Sequence, residues 1–163
     1  MNVNDLIRED LVIFSNAKTK TEAISELADV LYGNNKVKES YKKAVLEREE
    51  TFPTGLETER FGIAIPHTDS IHVKEPAVSI ALLENKLSFI QMGSSDEDVQ
   101  VEVIFMLALK KAEDQLEVLQ VFVDLIQDDS FMERLVTSKN AKEIIQTILT
   151  FFSNDLRWRE ESK

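Results

Sequence analysis

Val99–Leu109 reads VQVEVIFMLAL. The first half alternates apolar and polar residues, and from Val103 onward the run is apolar without interruption. Alternation marks a strand with one covered face, and a continuous apolar run marks a strand covered on both. A segment that passes from one to the other predicts a strand entering the interior of a sheet with layers on either side. Upstream, Leu87–Ile90, Ala77–Leu83 and Phe61–Ile65 carry similar short apolar runs, and Leu11–Phe14 makes a fifth strand candidate.

Helical spacing lies outside this central block. Ile24, Leu27, Ala28 and Leu31 recur at helical intervals, with Thr21 as N-cap and Gly33 as stop. A second helix is predicted from Val37 to Glu50, with Tyr41, Ala44 and Val45 on its apolar side. After Lys111, the stripe Leu116, Leu119, Phe122, Val123 and Ile126 predicts another helix. A short helix over Ser130–Val136 follows, then a last stripe of Ile144, Ile145, Ile148, Leu149 and Phe152. Two helices, a block of strands and further helices predict an α/β fold: a mixed, about five-stranded β-sheet flanked by helices on both sides. The expected organisation is one domain over 1–152 and a charged C-terminal tail over 153–163, in which Trp158 is partly exposed.

The chain has 163 residues, enough for a proper core, with 30 acidic and 19 basic side chains and a formal net charge of −11. Such a balance argues against nucleic acid as a partner and leaves room for a small anion at a local basic spot. There is no cysteine, hence no disulfide or thiol chemistry. No apolar run is long enough to span a membrane, and Arg8, Glu9 and Asp10 break up the N-terminal segment, so a cytoplasmic protein is expected. There is no nucleotide-binding glycine motif and no G-x-S-x-G elbow.

Only two histidines occur, His67 and His72. His67 follows a strand candidate and Pro66, which has no N–H and ends the ladder. The imidazole therefore stands at the end of a rigid element, with Thr68, Asp69 and Ser70 offering hydroxyls, a carboxylate and backbone N–H groups. A neutral imidazole is a competent nucleophile near pH 7 and can carry a phosphoryl group covalently. The plainer alternative is a hydrogen-bonded surface histidine. Arg48 lies seven residues after Tyr41 and three after Val45, on the apolar face near the helix end, where it needs an anion. A phosphoryl group suits its planar fork, and a carboxylate or helix-end cap is the other reading. TFPTGL follows, with Pro53 and Gly55 marking a turn that carries the Thr54 hydroxyl. His67, Asp69 and His72 also offer a metal reading, but their spacing matches no tight zinc pattern.

The run LEREETFPTGL followed by FGIAIPHTDSIHVKEPAV resembles the IIA domains of the fructose–mannitol class of sugar phosphotransferase systems. VEVIFMLALKKAEDQLEVLQ fits the same class, and the likeness spans roughly residues 5 to 150. The resemblance implies that His67 takes the phosphoryl group and that Arg48 holds its oxygens, with Thr54 nearby. It implies HPr as donor, a IIB cysteine as acceptor and a IIC membrane protein that transports the sugar; separately, the motifs and spacing lead us to expect no cofactor and no metal. Many members carry a second histidine where this chain has Gln115, which cannot titrate near pH 7. That glutamine and the Ile71–His72 pair look most like the galactitol-type branch, in which His72 is a neighbour without a titrating role. A regulatory, nitrogen-type IIA domain acting by phosphorylation-dependent protein binding is the alternative function.

Overall fold

The computed structural model describes residues 3–153. Trp158 and the tail beyond Ser153 lie outside the described residues. Five strands form one sheet: β1 (Val12–Ser15), β2 (Gly55–Glu57), β3 (Gly62–Ala64), β4 (Ala77–Ile90) and β5 (Asp98–Ala108). Their spatial order is β1-β4-β5-β3-β2, with β1–β4 and β3–β5 parallel and β4–β5 and β2–β3 antiparallel. The helices are α1 (Val3–Leu6), α2 (Lys20–Gly33), α3 (Tyr41–Thr51), α4 (Ala112–Leu125), α5 (Asp129–Val136) and α6 (Ala141–Ser153).

The reading of VQVEVIFMLAL holds, because β5 lies between two hydrophobic cores. Val103, Phe105 and Leu107 join the core formed with α4, α5 and α6, while Ile104, Met106 and Ala108 join that formed with α2 and α3. On the first side Phe105 stacks on Phe122 at 4.5 Å between ring centroids. Large aromatic and aliphatic side chains are thus buried on both faces of the strand, where removing them from water stabilises the fold.

Several element boundaries differ from expectation. Ala77–Leu83 and Leu87–Ile90 are one strand, β4, whose pairing with β5 shifts register between Leu82 and Leu87. The polar Glu84-Asn85-Lys86 segment reads locally like a turn but stays within the strand. The fifth strand is instead β2, a three-residue edge strand too short to leave a pattern of its own. Thr19, not Thr21, caps α2: its hydroxyl accepts the Glu22 N–H at 3.1 Å, while the Glu22 carboxylate accepts the Lys18 N–H. The second helix starts at Tyr41 and not at Val37, because Val37 bridges to Val73 in the antiparallel sense. In α4 the buried residues are Val118, Val121, Phe122 and Leu125, and Leu116 is 73% exposed. Both stripes have helical spacing, and the choice between them is made by where the sheet lies.

Candidate functional site

The site is built at the end of β3. Ile63 and Ala64 pair with Val103 and Ile104 on β5. Pro66 cannot donate, but its carbonyl accepts the Leu107 N–H at 3.0 Å, so the chain stays on β5 beyond the strand proper. His67 consequently stands opposite Leu107. The buried Tyr41 hydroxyl donates to the Leu107 carbonyl at 2.7 Å, which locks α3 onto the same point of the sheet. Pro66 therefore limits the ladder by removing a donor while its acceptor continues it.

The His67 ring is half-buried, with Nδ1 2.9 Å from the Ile65 carbonyl oxygen. A carbonyl only accepts, so Nδ1 carries the hydrogen and Nε2 keeps a lone pair. Burial lowers the pKa below the ordinary imidazole value. The Arg48 guanidinium pushes the same way, and the Ile65 carbonyl and Asp69 pull against both. The net direction favours the neutral, nucleophilic ring at pH 7.

Arg48 comes from the last turn of α3, where a cation complements the helix dipole. Its guanidinium packs over the Phe52 ring at 4.9 Å, and Nη1 lies 3.6 Å from an Asp69 carboxylate oxygen. Its Nε is buried and has no hydrogen-bond partner among the described residues. Arg48 and Asp69 both act electrostatically on His67. The guanidinium thus lies near enough to act on the charge of the imidazole, which is only partly buried.

Thr54 is placed differently from a phosphate-facing hydroxyl. It is buried, its Oγ1 donates to Glu49 Oε1 at 2.7 Å, and its N–H donates to Glu49 Oε2 at 2.8 Å. The Ile65 N–H in turn lies 3.2 Å from Thr54 Oγ1 and 3.3 Å from the Thr54 carbonyl. Gly55 begins β2 and has no positive φ. Glycine is required there by close approach, since a Cβ would sit 2.7 Å from the Ile90 carbonyl oxygen.

Thr68 is buried, and its carbonyl accepts from Gln115 Nε2 at 3.3 Å. The same amide reaches the Leu109 carbonyl at 3.5 Å. Gln115 thereby ties the loop after His67 to the end of β5. His72 stands apart: its Nδ1 is 2.7 Å from Ser40 Oγ, at the N-cap of α3. Ser40 and Arg48 are eight residues apart, about 12 Å along a helix axis. His67, Asp69 and His72 do not converge, and no group of three metal-ligating side chains forms among the described residues.

Two residues of this site were not singled out as such from the sequence. The sequence offers Asp69 as a carboxylate beside His67 or as a metal ligand, but its pairing with Arg48 joins two distant segments. Glu49 had a legible signal: Tyr41, Val45 and Glu49 are spaced by four, and all three are buried. On that stripe Glu49 lies deeper than Arg48.

The sequence matches the family described as phosphoenolpyruvate-dependent sugar phosphotransferase system, EIIA 2, over residues 5–150. It is 30% identical over 118 residues to the galactitol-specific EIIA component of Escherichia coli K12, covering 72% of this chain and 78% of that protein. Among solved structures, the mannitol IIA of Escherichia coli, in complex with phosphorylated IIB, superposes with a TM-score of 0.72 at 24% identity, covering 89% and 97% of the two chains. The nitrogen regulatory protein IIA-Ntr of Neisseria meningitidis also gives 0.72, at 20% identity over 90% and 98%. These two structures establish the shared mixed-sheet fold. The family match spans nearly all the described residues, and the chain therefore belongs to the EIIA 2 family of the phosphoenolpyruvate-dependent sugar phosphotransferase system, as one of its phosphoryl-carrying components.

Proposed function

We propose that His67 is the phosphoryl acceptor, that HPr is the donor and that a IIB cysteine is the next acceptor. The observation that carries this reading is the half-buried His67, whose Nδ1 is held by the Ile65 carbonyl so that Nε2 keeps its lone pair, near an arginine whose buried Nε lacks a partner among the described residues. A buried unpaired donor is costly, and a phosphoryl oxygen would satisfy it.

In the first step the Nε2 lone pair attacks phosphorus on the phosphohistidine of HPr. The P–N bond of the donor breaks, and its electron pair returns to the donor nitrogen. No proton leaves His67: the Nδ1–H stays on the Ile65 carbonyl, which stabilises the positive charge the ring acquires. Arg48 exchanges its long contact with Asp69 for the phosphoryl oxygens, whose charge it neutralises in the transition state. Gln115, by holding the Thr68 carbonyl, keeps the loop in place without titrating. In the second step a thiolate of IIB attacks the same phosphorus, the P–Nε2 bond breaks, and neutral imidazole is restored.

Among the described residues no helix is long and apolar enough to cross a membrane. The proposed place of action is the cytoplasm, with sugar crossing through a separate IIC component. The galactitol-specific relative supports a sugar alcohol of that kind as cargo.

Incubation with phosphoenolpyruvate, enzyme I and HPr tests the reading. An acid-labile, base-stable label is expected on His67 and absent from His67→Ala. Transfer of the label to a IIB cysteine supports the uptake role. A label that no IIB protein accepts, joined to phosphorylation-dependent binding of a regulator, moves the chain to the regulatory class.

A further inference from the structure

Glu49 is 3% exposed, and both its oxygens are used by Thr54. Burial pushes its carboxyl up to about 7, against the two Thr54 bonds and the Lys20 charge, with Glu50 adding slightly to the rise. A carboxyl held in the interior at that cost has work to do beyond solubility.

The bonds lead from this carboxylate to the imidazole in three steps. Glu49 holds the Thr54 hydroxyl and N–H at 2.7 and 2.8 Å. The Thr54 hydroxyl oxygen and carbonyl flank the Ile65 N–H at 3.2 and 3.3 Å. The opposite side of that residue, the Ile65 carbonyl, takes the Nδ1–H of His67 at 2.9 Å. Ile65 lies beyond the last ladder pair of β3 and before a proline that cannot donate, so Thr54 supplies its N–H partner. The orientation of the Ile65 carbonyl therefore depends on where Thr54 is held, and that carbonyl selects the ring nitrogen that bears the proton.

We infer that Glu49 is a positioning residue that acts through Thr54 and Ile65 to keep His67 in the Nδ1–H form, with Nε2 presented for phosphoryl transfer. The chemistry of the pair explains the residue type. Thr54 presents two donors, and both oxygens of the Glu49 carboxyl accept them, whereas glutamine would turn an NH2 toward one of the donors. The consequence for transfer rests on His67 being the phosphoryl acceptor, but the control of the tautomer does not.

The test separates the two. The ring nitrogens of His67 are observed by 15N NMR in the unphosphorylated protein, above its pKa, with His72 as internal reference. Glu49→Gln and Thr54→Val are compared with Thr54→Ser, which keeps both donors. Glu49→Gln and Thr54→Val are expected to mix the tautomers of His67 and leave His72 unchanged. The label from HPr should then form about 10- to 100-fold more slowly at saturating donor, with KM little altered. Thr54→Ser should behave as the parent. Folded Glu49→Gln and Thr54→Val proteins with a parental His67 tautomer overturn the inference. If the parent protein takes no label at all, the assignment of His67 as acceptor fails, and the NMR comparison still decides the role of Glu49. Should Glu49→Gln not fold, Thr54→Val, which loses the hydroxyl, set against Thr54→Ser, which keeps it, decides it alone.

Discussion

Replacing Arg48 with alanine should separate transfer from stability. The contact of Arg48 with Asp69 is long, at 3.6 Å, between side chains that are 37% and 71% exposed. Ion pairs of that kind contribute about 0–1 kcal/mol. Stacking on the exposed Phe52 adds about 0.5–1 kcal/mol. Against these stands the buried Nε without a partner, whose removal relieves a penalty of about 1 kcal/mol or more. The net change in folding stability is therefore expected within about 1 kcal/mol of zero. The loss in phosphoryl transfer is expected to be far larger. Removing one preorganised donor to developing charge costs about 3–4 kcal/mol, or about 100- to 1,000-fold in rate. Urea titration gives the first quantity, and single-turnover labelling from phosphorylated HPr gives the second. Arg48→Lys keeps the charge without the fork and should fall between the two proteins in rate. A variant that loses more than about 2 kcal/mol of stability while its rate falls less than about tenfold would refute the reasoning, because Arg48 would then be a structural residue.

Three further outcomes are expected. The lowered pKa of His67 keeps the ring neutral down to lower pH than a free imidazole, whose pKa is about 6.5. The labelling rate should thus be flat above that value and fall only below it, and an NMR titration of His67 with a midpoint above it would contradict the site. Glu49 has the opposite stability sign: its folded pKa of about 7 exceeds the ordinary carboxyl value of 4.5, so the folded state holds the proton more tightly. Its contribution to stability is lost as pH rises from about 4.5 through about 7, by on the order of 3 kcal/mol, and the pH dependence of urea midpoints should flatten in Glu49→Gln. Tyr41→Phe removes the bond to the Leu107 carbonyl and should cost about 1–2 kcal/mol in the same assay.

Some of this architecture is written locally. The unbroken apolar half of Val99–Leu109 needs cover on both faces whatever else the chain does, and the strand is central. The helical spacing around Ile24 and Ile144 is equally autonomous, since a buried face must repeat with the period of the helix. The T-x-x-E of Thr19–Glu22 also marks the true start of α2. His67 beside Pro66 and Arg48 near a helix end were legible as chemistry for the same reason: each depends on neighbours a few residues away.

What remained hidden depends on contacts between distant segments. Glu84-Asn85-Lys86 is polar enough for a turn, yet its neighbours pair on both sides and hold it within β4. Two stripes compete on α4, and the sheet chooses the one that exposes Leu116. His72 stands close to His67 in sequence but is drawn to Ser40 at the far end of α3. The sequence alone determined the layers, the central strand and the types of group available for phosphoryl chemistry, because periodicity and side-chain chemistry are local properties. The tertiary structure alone decided which groups meet: Asp69 with Arg48, and Thr54, held by Glu49, with Ile65 behind His67. Those meetings require the end of α3 and the end of β3 to be brought against the same point of β5, and no local pattern encodes that distance.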